Sequence, residues 1–593
     1  MAGKPLASPG HRKAVKGGEI TPFLFNLGLA LCFTVLLTAP AVRFFGTHIF
    51  GYPHDGFACI WKMWWTRKAL LELHIGPAQL CYVNYPYPTY NPHLVASPLV
   101  NLLALPLLGW LGPLRTYNAT LLFSLALSWP TGALLCHEFT RERFSASVGG
   151  ALYAFHANRV AHAIGGHLPQ TFTFLFPIMA LLFYRTWRSP GWRNGLGAGI
   201  ALALSLLVDL KHVALFIAPF VTLFLAFFGL SERHLWTKER LFALALALGT
   251  AALIAIPFFI PLVTARLSGR LEHFYAPGVI RHSADLLGFF VPPPEHPLYC
   301  HWPALHALSE RLALPGWHEN VFYLGWSVLP LAAVGAIARW RRQRVSRFWV
   351  AVVMAALLLA LGPALKVNSE LVNWQVGQAT GTVPLPYALL QALPFYDWGR
   401  TPGRMITLAM MGLAVLTALG ADVVLARVRA GGLRALLALG LIGLVVTDHI
   451  FTWPWPLGNA QVPAFYEEVA AQPADFAILD LPLWEYRCER YQLYYATVHN
   501  HRIVGGSITR RTPEAEDAMR QVERWALPQA GADAASALAK LGIRYVVLHK
   551  LCLEEPALTE ETAYLTDQLG PPVYDDRWIR AFKVPDQPTT PGG

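Results

Sequence analysis

The stretch His48-Ile-Phe-Gly-Tyr-Pro-His54-Asp55-Gly56, continued by Phe57-Ala-Cys-Ile-Trp61-Lys-Met-Trp-Trp65, stands between two apolar segments of the chain. Its apolar residues recur at helical spacing for three turns, with polar residues on the opposite face. An amphipathic, Trp-rich helix of this kind lies in a membrane interface rather than across the bilayer. The stretch therefore predicts a surface helix with one carboxylate, Asp55, at its start.

Apolar residues dominate the composition. Of 593 residues, 54% are hydrophobic and 14% are charged, whereas about 25% are charged in ordinary soluble domains. Because lipid-exposed backbone is satisfied only in helices or closed barrels, the repeated apolar runs predict a polytopic all-α membrane domain. The net charge of +11 comes from basic loops on one side of the membrane, as the positive-inside rule requires. We therefore expect no nucleic-acid partner.

Eleven membrane-spanning helices best explain where the basic residues fall. The interval 94–113 is apolar but broken by Pro98, Pro106 and Gly109, and we interpret it as interfacial, with a short spanning helix as the alternative. If it crossed the membrane, the basic loop 339–347 would lie outside, against the positive-inside rule. The predicted spans are approximately 22–42, 116–137, 146–160, 168–184, 195–210, 213–230, 241–263, 321–338, 348–364, 404–425 and 433–450.

The pattern of spans divides the chain into three parts. A basic tail at 1–21 is expected in the cytoplasm, and the membrane domain covers 22–450. Residues 451–593 are expected to form a small extracytoplasmic α/β domain, because charge density rises after Trp453. Within the last part we predict buried strands at 477–481 and 545–549 and a helix at 513–542. The outer loops of the membrane domain are predicted at 43–115, 264–320 and 365–403.

Asp55 is the first candidate for chemistry. It follows the first span, so the predicted topology places it on the outer face beside aromatic rings that can stack on a substrate. A positioned carboxylate is a suitable general base. Asp followed by Gly is also a common turn pair, so a structural turn is the alternative. His54 and Trp61, on either side of Asp55, are candidate substrate-binding residues.

Further candidates lie at the outer ends of the predicted spans. His162 and His167 surround a Gly-Gly pair after the third span and could bind a leaving phosphate or a metal ion; helix capping is the alternative. Lys211 and His212 follow Asp209 in a tight outer turn and could hold a phosphate, with a solvated helix end as the alternative. No complete set of metal ligands is visible.

Arginines on the outer side run against the usual distribution of positive charge. Arg400 and Arg404 precede the tenth span, and Arg281 lies in the long outer loop. Arginine binds phosphate through two parallel hydrogen bonds, so we predict a phosphate site; pairing with Asp397 is the alternative. Asp285, in the same outer loop as Arg281, is either a second functional carboxylate or a helix cap.

The chain has seven cysteines and no CxxC spacing. An odd number argues against a complete disulfide framework. Two pairs, Cys59–Cys81 and Cys488–Cys552, could form disulfides outside the cytoplasm.

Together these features resemble the GT-C superfamily, integral membrane glycosyltransferases that use polyprenyl-phosphate sugars. The first helix, the outer Asp, the two interfacial helices and the basic inner loops carry the resemblance over about 22–450. Shorter segments are similar to uncharacterised bacterial proteins of this type. They are Gly288–Pro292, Arg400–Arg404, Ile478–Pro482, Ile503–Gly506 and Leu541–Val547.

The resemblance implies that Asp55 occupies the catalytic acidic position of the first outer loop. It would be the general base of an inverting transfer from a polyprenyl-phosphate sugar to a glycan, lipid or protein acceptor, with His167 assisting the leaving group. Relatives often carry a second acid where this chain has histidines, so no cofactor is certain and a divalent metal is left open. The expected location is the bacterial inner membrane, with the N-terminus in the cytoplasm.

A transporter or lipid exporter without transfer chemistry is the alternative function. The sequence shows no paired inverted repeats and few charges in the middle of the predicted spans, and both observations argue against it. A pocket on the outer face that ends at Asp55 favours the enzyme, whereas a path across the membrane favours transport.

Overall fold

The computed structural model describes most of the chain. Residues 1–19, which hold nearly all of the predicted basic tail, lie outside the described residues, as does Asp397. The described residues are 20–91, 97–232, 236–268, 278–313, 318–341, 343–376, 378–393, 399–472, 475–506, 511, 513–528 and 534–585.

Helices make up the structure from residue 20 to residue 448. A π-helical turn at Val213–Ile217 joins α10 to α11, and a 3-10 turn at Pro402–Met405 leads into α17. The helices are α1 Ile20–Leu37, α2 Pro53–Arg67, α3 Pro98–Leu111, α4 Pro113–Thr140, α5 Arg143–Phe155, α6 Ala157–Ile164, α7 Leu168–Thr171, α8 Leu175–Arg188, α9 Trp192–Leu206, α10 Leu210–His212, α11 Ala218–Ser231, α12 Lys238–Leu267, α13 Pro303–Ala313, α14 Val328–Arg339, α15 Arg344–Ala360, α16 Tyr387–Leu390, α17 Ile406–Leu425 and α18 Gly431–Asp448.

Six helices among the described residues are long and apolar enough to cross a membrane, so the chain is a multi-pass membrane protein. Each coincides with one of the predicted spans. The other five predicted spans fall on shorter helices, so the count of eleven stays a prediction. The six are Ile20–Leu37, Pro113–Thr140, Leu210–Ser231, Lys238–Leu267, Pro402–Leu425 and Gly431–Asp448.

Helix α17 forms the centre of the helical part. Most of its residues are buried, and it packs against α5, α14 and α15. Its contact with α14 is close because glycines face each other: a Cβ on Gly420 would stand 1.9 Å from the carbonyl oxygen of Leu331. Small residues allow backbones to approach in this way in membrane helices, where van der Waals packing drives association.

The tail after residue 450 contains a five-stranded sheet with strand order β10-β9-β11-β13-β12. Strand β9 pairs in parallel with β10 and β11, whereas β13 runs antiparallel to its neighbours. The tail elements are β8 Leu457–Asn459, α19 Ala464–Ala470, β9 Ala477–Leu481, α20 Tyr486–His499, β10 Arg502–Ile503, α21 Pro513–Ala526, α22 Ala534–Lys540, β11 Ile543–His549, α23 Glu555–Leu569, β12 Tyr574–Asp575 and β13 Ile579–Lys583.

The two strands predicted at 477–481 and 545–549 are confirmed as β9 and β11. Every residue of β9 is buried, as expected for a parallel strand covered on both faces. The predicted helix at 513–542 is present as α21 and α22. Of the residues between these two helices, the structure describes 527 and 528.

Short strands and irregular segments complete the membrane part. They include two antiparallel strand pairs within the predicted outer loop 365–403, 366–367 with 370–371 and 373–376 with 379–382. The strands are β1 His48–Phe50, β2 Gln79–Leu80, β3 Thr89–Tyr90, β4 Lys366–Val367, β5 Glu370–Leu371, β6 Asn373–Val376 and β7 Ala379–Thr382.

The tail joins the membrane part along three lines of contact. Strand β1 pairs antiparallel with β8. The backbone at Tyr82–Tyr85 hydrogen-bonds to Ile503 of β10. Helix α2 packs against α20, where the rings of Phe57 and Tyr494 stack with centroids 4.4 Å apart. The segment predicted as the first outer loop is therefore built into the tail, although more than 400 residues separate the partners of each contact in sequence.

One of the two proposed cysteine pairs is present. Cys488, in the first turn of α20, is disulfide-bonded to Cys552, which follows β11. Cys59 and Cys81 are free, so the other pairing is wrong. The disulfide ties the start of α20 to the central sheet.

Candidate active site

Asp55 lies in the first turn of α2, where the helix dipole favours an anion. Gly56 follows inside the helix, so the turn interpretation of the Asp-Gly pair is wrong. His167 Nε2 lies 2.9 Å from Asp55 Oδ2. On the other oxygen, Oδ1, the Tyr486 hydroxyl donates at 2.9 Å and Arg490 Nη2 lies at 3.2 Å. The Asp55 side chain is 35% exposed, so its carboxylate remains open to the surface.

These donors determine the charge of Asp55. Burial alone would raise the pKa of its carboxyl group. The hydrogen bond from His167, the positive charge of Arg490 and the hydrogen bond from Tyr486 outweigh burial and hold the pKa of Asp55 well below its usual value. Asp55 is therefore an ionised carboxylate at neutral pH.

Glycines bring His167 to Asp55. Gly166 has a φ of +81°, which favours glycine, and a Cβ there would stand 2.3 Å from the backbone nitrogen of Gly56. Arg159, which is buried, donates to the backbone carbonyls of Ser124 and Thr171 and so holds the segment after His167. The second glycine of the Gly-Gly pair is thus required by the close approach of its backbone to Gly56.

His162 and His167 are hydrogen-bonded through their Nδ1 atoms, which lie 2.8 Å apart. If His167 donates from Nε2 to ionised Asp55, a neutral His167 accepts at Nδ1, and His162 must donate from its own Nδ1. His162 Nε2 is then left without a hydrogen. This atom is buried without a hydrogen-bond partner among the described residues and lies 3.9 Å from Glu319 Oε2.

Glu319 is a carboxylate that the sequence reasoning missed. It lies in a 3-10 turn at His318–Asn320, and Arg404 donates to both of its oxygens. Burial would raise the pKa of Glu319, but the charge of Arg404 holds it well below its usual value. The sequence predicted that Arg404 binds phosphate or pairs with Asp397. In the structure Arg404 instead forms an ion pair with Glu319, an acid that the sequence analysis did not name.

The histidines and Glu319 form a possible metal-binding set. One ligand atom from each of His162, His167 and Glu319 lies within 4.8 Å of the others. Two imidazoles and a carboxylate suit Zn²⁺ and related transition metals. The Nε2 of His162, which has no hydrogen-bond partner within the described residues, fits such an ion. The nitrogen of His167 nearest Glu319 is Nδ1, at 3.8 Å from Oε1, so an ion there would replace the hydrogen bond between the two histidines and would share Glu319 with Arg404.

The Lys211 turn lies beside this cluster. Asp209 caps the turn by accepting from the Lys211 backbone nitrogen at 3.0 Å, and His212 is buried with its Nε2 3.0 Å from Gln170 Oε1. Lys211 is exposed and lies within electrostatic range of Arg404 and of Lys62 on α2. Lys211 thus reaches toward the cluster, whereas His212 supports the turn from behind.

Three of the remaining candidates from the sequence are Arg281, Arg400 and Asp285. Arg281 and Arg400 are exposed and act electrostatically on His282, as do Glu319 and Arg404. Asp285 is buried and accepts from the backbone nitrogens of Leu287 and Ser369 at 2.9 and 2.7 Å, so it is a cap. These contacts shape the outer loops.

The two neighbours of Asp55 that the sequence singled out differ in exposure. His54 is half-buried and close to Tyr486, with ring centroids 5.9 Å apart. Trp61 is 0% exposed and stacks on Trp65 in a cluster that contacts Leu493 of the tail. Trp61 therefore has no surface on which a substrate could stack, and it fastens α2 to α20.

Arg490 offers a test of how the tail acts on Asp55. We expect Arg490→Gln to raise the pKa of Asp55, because a buried positive charge next to the carboxylate is lost. Carbodiimide reacts with protonated carboxyl groups, so the pH at which Asp55 is half-modified, read by peptide mass spectrometry, should move upward. Arg487→Gln, on the same helix but not in contact with Asp55, should leave that pH nearly unchanged. Equal values in all three proteins would contradict the contact.

Comparisons with known proteins show what this geometry resembles. No family profile and no curated protein sequence matches the chain. The solved structure of the oligosaccharyltransferase from Archaeoglobus fulgidus, in the apo form, is similar with a TM-score of 0.50 at 12% identity, over 90% of this chain and 70% of that one. The arabinofuranosyltransferase AftD from Mycobacteria is similar with a TM-score of 0.52 at 15% identity, over 94% of this chain and 40% of that one. The resemblance stated from the sequence is confirmed for the architecture: this chain has the fold of the GT-C membrane glycosyltransferases.

Proposed function

We propose that the protein is a glycosyltransferase that moves a sugar from a polyprenyl-phosphate carrier to an acceptor hydroxyl on the extracytoplasmic face. The observation that carries the proposal is the state of Asp55, an ionised and partly open carboxylate held by His167, Tyr486 and Arg490. Both similar structures are named as enzymes that transfer sugars, an oligosaccharyltransferase and an arabinofuranosyltransferase. Asp55 would be the general base.

The proposed reaction is an inverting displacement. The acceptor hydroxyl gives its proton to Asp55 while its oxygen forms a bond to the anomeric carbon of the donor sugar. The bond between that carbon and the phosphate oxygen breaks, and its electron pair leaves on the phosphate. His167 orients the carboxylate of Asp55 by its contact with Oδ2. The other oxygen, Oδ1, is the one that the exposed Tyr486 contacts, and we propose that it takes the proton.

The proposed site for the donor phosphate is formed by positive side chains around Glu319. Lys211 is exposed and lies within electrostatic range of Arg404 and Lys62, and basic groups hold phosphate through charge-assisted hydrogen bonds. We assign the phosphate to Lys211 and Lys62, with Arg404 contributing charge while it holds Glu319. Arg281 and Arg400, which are exposed and act with Arg404 on His282, are proposed to meet the carrier as it enters.

The proposed topology has eleven spans, with the N-terminus inside, in a bacterial inner membrane. The disulfide between Cys488 and Cys552 supports an extracytoplasmic tail domain, since disulfides persist in oxidising compartments. The charged groups near Asp55 lie at the ends of helices that this topology places on the outer face. A transporter would need such groups along a path through the membrane, so this placement favours the enzyme.

Asp55→Asn tests the base. The substitution keeps the size of the side chain but removes its basicity, and loss of a general base costs about 10²- to 10⁴-fold in rate. The assay reconstitutes the full chain in proteoliposomes with labelled lipid-linked sugars from the producing bacterium and follows release of the sugar from its carrier. Asp475→Asn, an exposed carboxylate of the tail, should retain activity. Undiminished release by a folded Asp55→Asn protein would refute the assignment.

We also propose that His162, His167 and Glu319 can hold a divalent metal. A divalent ion bound there would stabilise negative charge on the leaving phosphate. Asp55 does not depend on this metal, because its contacts with protein side chains already orient and ionise it.

Cobalt offers a test of this metal site that is independent of turnover. Co²⁺ added to the purified protein should give the visible absorption of a site with nitrogen and oxygen ligands. The absorption should be lost in His162→Gln, because one of the two imidazole ligands is removed. His74→Gln, at an exposed position, is the control. A spectrum identical to free Co²⁺ in the native protein would exclude the site.

A further inference from the structure

The open side of Asp55 is bordered by rings from separate segments. The ring centroids of Tyr52 and His54 lie 6.4 Å apart, and those of His54 and Tyr486 lie 5.9 Å apart. Tyr52 also stacks on His318, with centroids 5.1 Å apart and an interplanar angle of 22°. We call these four residues, Tyr52, His54, His318 and Tyr486, the ring rim. The membrane part supplies three of its members and the tail supplies one.

Tyr486 is the member of the ring rim that blocks the carboxylate. Its hydroxyl donates to Asp55 Oδ1, and its side chain is 47% exposed. Arg490, the other group on Oδ1, is buried, and its guanidinium lies 4.6 Å from the centre of the Tyr486 ring. A molecule arriving from solvent can therefore replace the Tyr486 hydroxyl but not the Arg490 guanidinium.

We propose that the acceptor is a carbohydrate that packs against the ring rim and places one hydroxyl on Asp55 Oδ1, where the Tyr486 hydroxyl now lies. The proposal deepens the proposed function, on which it rests, by naming the acceptor class and its site. The phenol O–H and a sugar O–H are both neutral donors, so the exchange keeps one hydrogen bond to the carboxylate.

The chemistry of the ring rim matches a sugar. Aromatic rings combine an apolar face with a polar edge, and a pyranose or furanose offers an apolar C–H face bordered by hydroxyls. The charge of the site narrows the class further. Arg487 and Arg490 both act on His54, together with Asp55 and Glu485. Among the described residues, two positive and two negative groups thus lie around His54, and this balance favours a neutral sugar over a charged one.

A peptide acceptor fits the structure less well. Proteins often bind extended peptides by adding a strand to a free sheet edge. Strand β10 lies at the edge of the tail sheet near this site. The segment Tyr82–Tyr85 already covers it, with Ile503 donating to the carbonyl of Tyr82 and accepting from Tyr85. That edge is thus closed to an incoming peptide.

The test measures binding without donor or turnover. A panel of methyl glycosides, containing neutral hexosides, pentosides and a methyl glucuronide, is titrated into the full chain in detergent and followed by saturation-transfer difference NMR. At least one glycoside should bind. Tyr486→Ala should weaken its binding about two- to twelvefold, because ring stacking is worth about 0.5–1.5 kcal/mol. Tyr486→Phe keeps the ring and removes the competing hydroxyl, so its affinity should equal or exceed that of the native protein.

Tyr491→Phe is the matched control, since Tyr491 lies on the same helix and its hydroxyl contacts the carbonyl of Asn459 instead of Asp55. It should bind the glycoside as the native protein does. Binding of a capped Ser- or Thr-containing peptide that is lost in Tyr486→Ala, with no glycoside bound, would overturn the proposal in favour of a protein acceptor. No binding by any glycoside, or equal binding by Tyr486→Ala, would also overturn it. An active Asp55→Asn enzyme would instead refute the base and leave the glycoside result standing.

Discussion

The contact between the Asp55 carboxylate and its donors joins the two halves of this protein. His167 reaches Asp55 from the membrane part, while Tyr486 and Arg490 reach it from the tail. An ionised carboxylate that is mostly removed from water needs such partners. Tail and membrane part must therefore dock before the centre is complete. The packing of α2 on α20, with Phe57 stacked on Tyr494, and the pairing of β1 with β8 provide that docking.

The disulfide has a place in the same arrangement. Cys488 lies between Tyr486 and Arg490 in α20 and is bonded to Cys552 beside the central sheet. The two groups that contact Asp55 are thus carried by a helix turn fixed to the most buried part of the tail. This arrangement explains how a small domain can hold a carboxylate that belongs to another part of the chain. Of these two groups, Arg490 is buried and Tyr486 is exposed.

The sequence predicted those features that depend on residues close together in the chain. Hydropathy located six helices of spanning length, and short apolar runs located strands β9 and β11. Asp55 was found because it follows the first span, and His167 because two histidines surround a Gly-Gly pair. Each of these signals lies within about twenty residues, the length of a spanning helix.

Features that depend on distant pairs were not predictable from one sequence. Tyr486 and Arg490 contact Asp55 across more than 430 residues, and Glu319 is one acid within a long outer loop. Trp61 was predicted to bind substrate because it lies on the apolar face of an amphipathic helix near Asp55. In the structure that face packs against the tail, where Trp61 clusters with Leu493. A signal for Glu319 did exist: outer arginines such as Arg404 need an acidic partner.

The most direct measurement of the central claim is a double-mutant cycle on Asp55 and Arg490 in the full chain. Asp55→Asn, Arg490→Gln and the double variant are unfolded in detergent, and their free energies of unfolding are compared. Each single variant leaves a charge beside a neutral partner, so the account predicts that the double variant is more stable than the sum of the two losses implies, by about 1 kcal/mol or more. Strictly additive losses would mean that the two side chains do not meet, and the joined centre would then be contradicted.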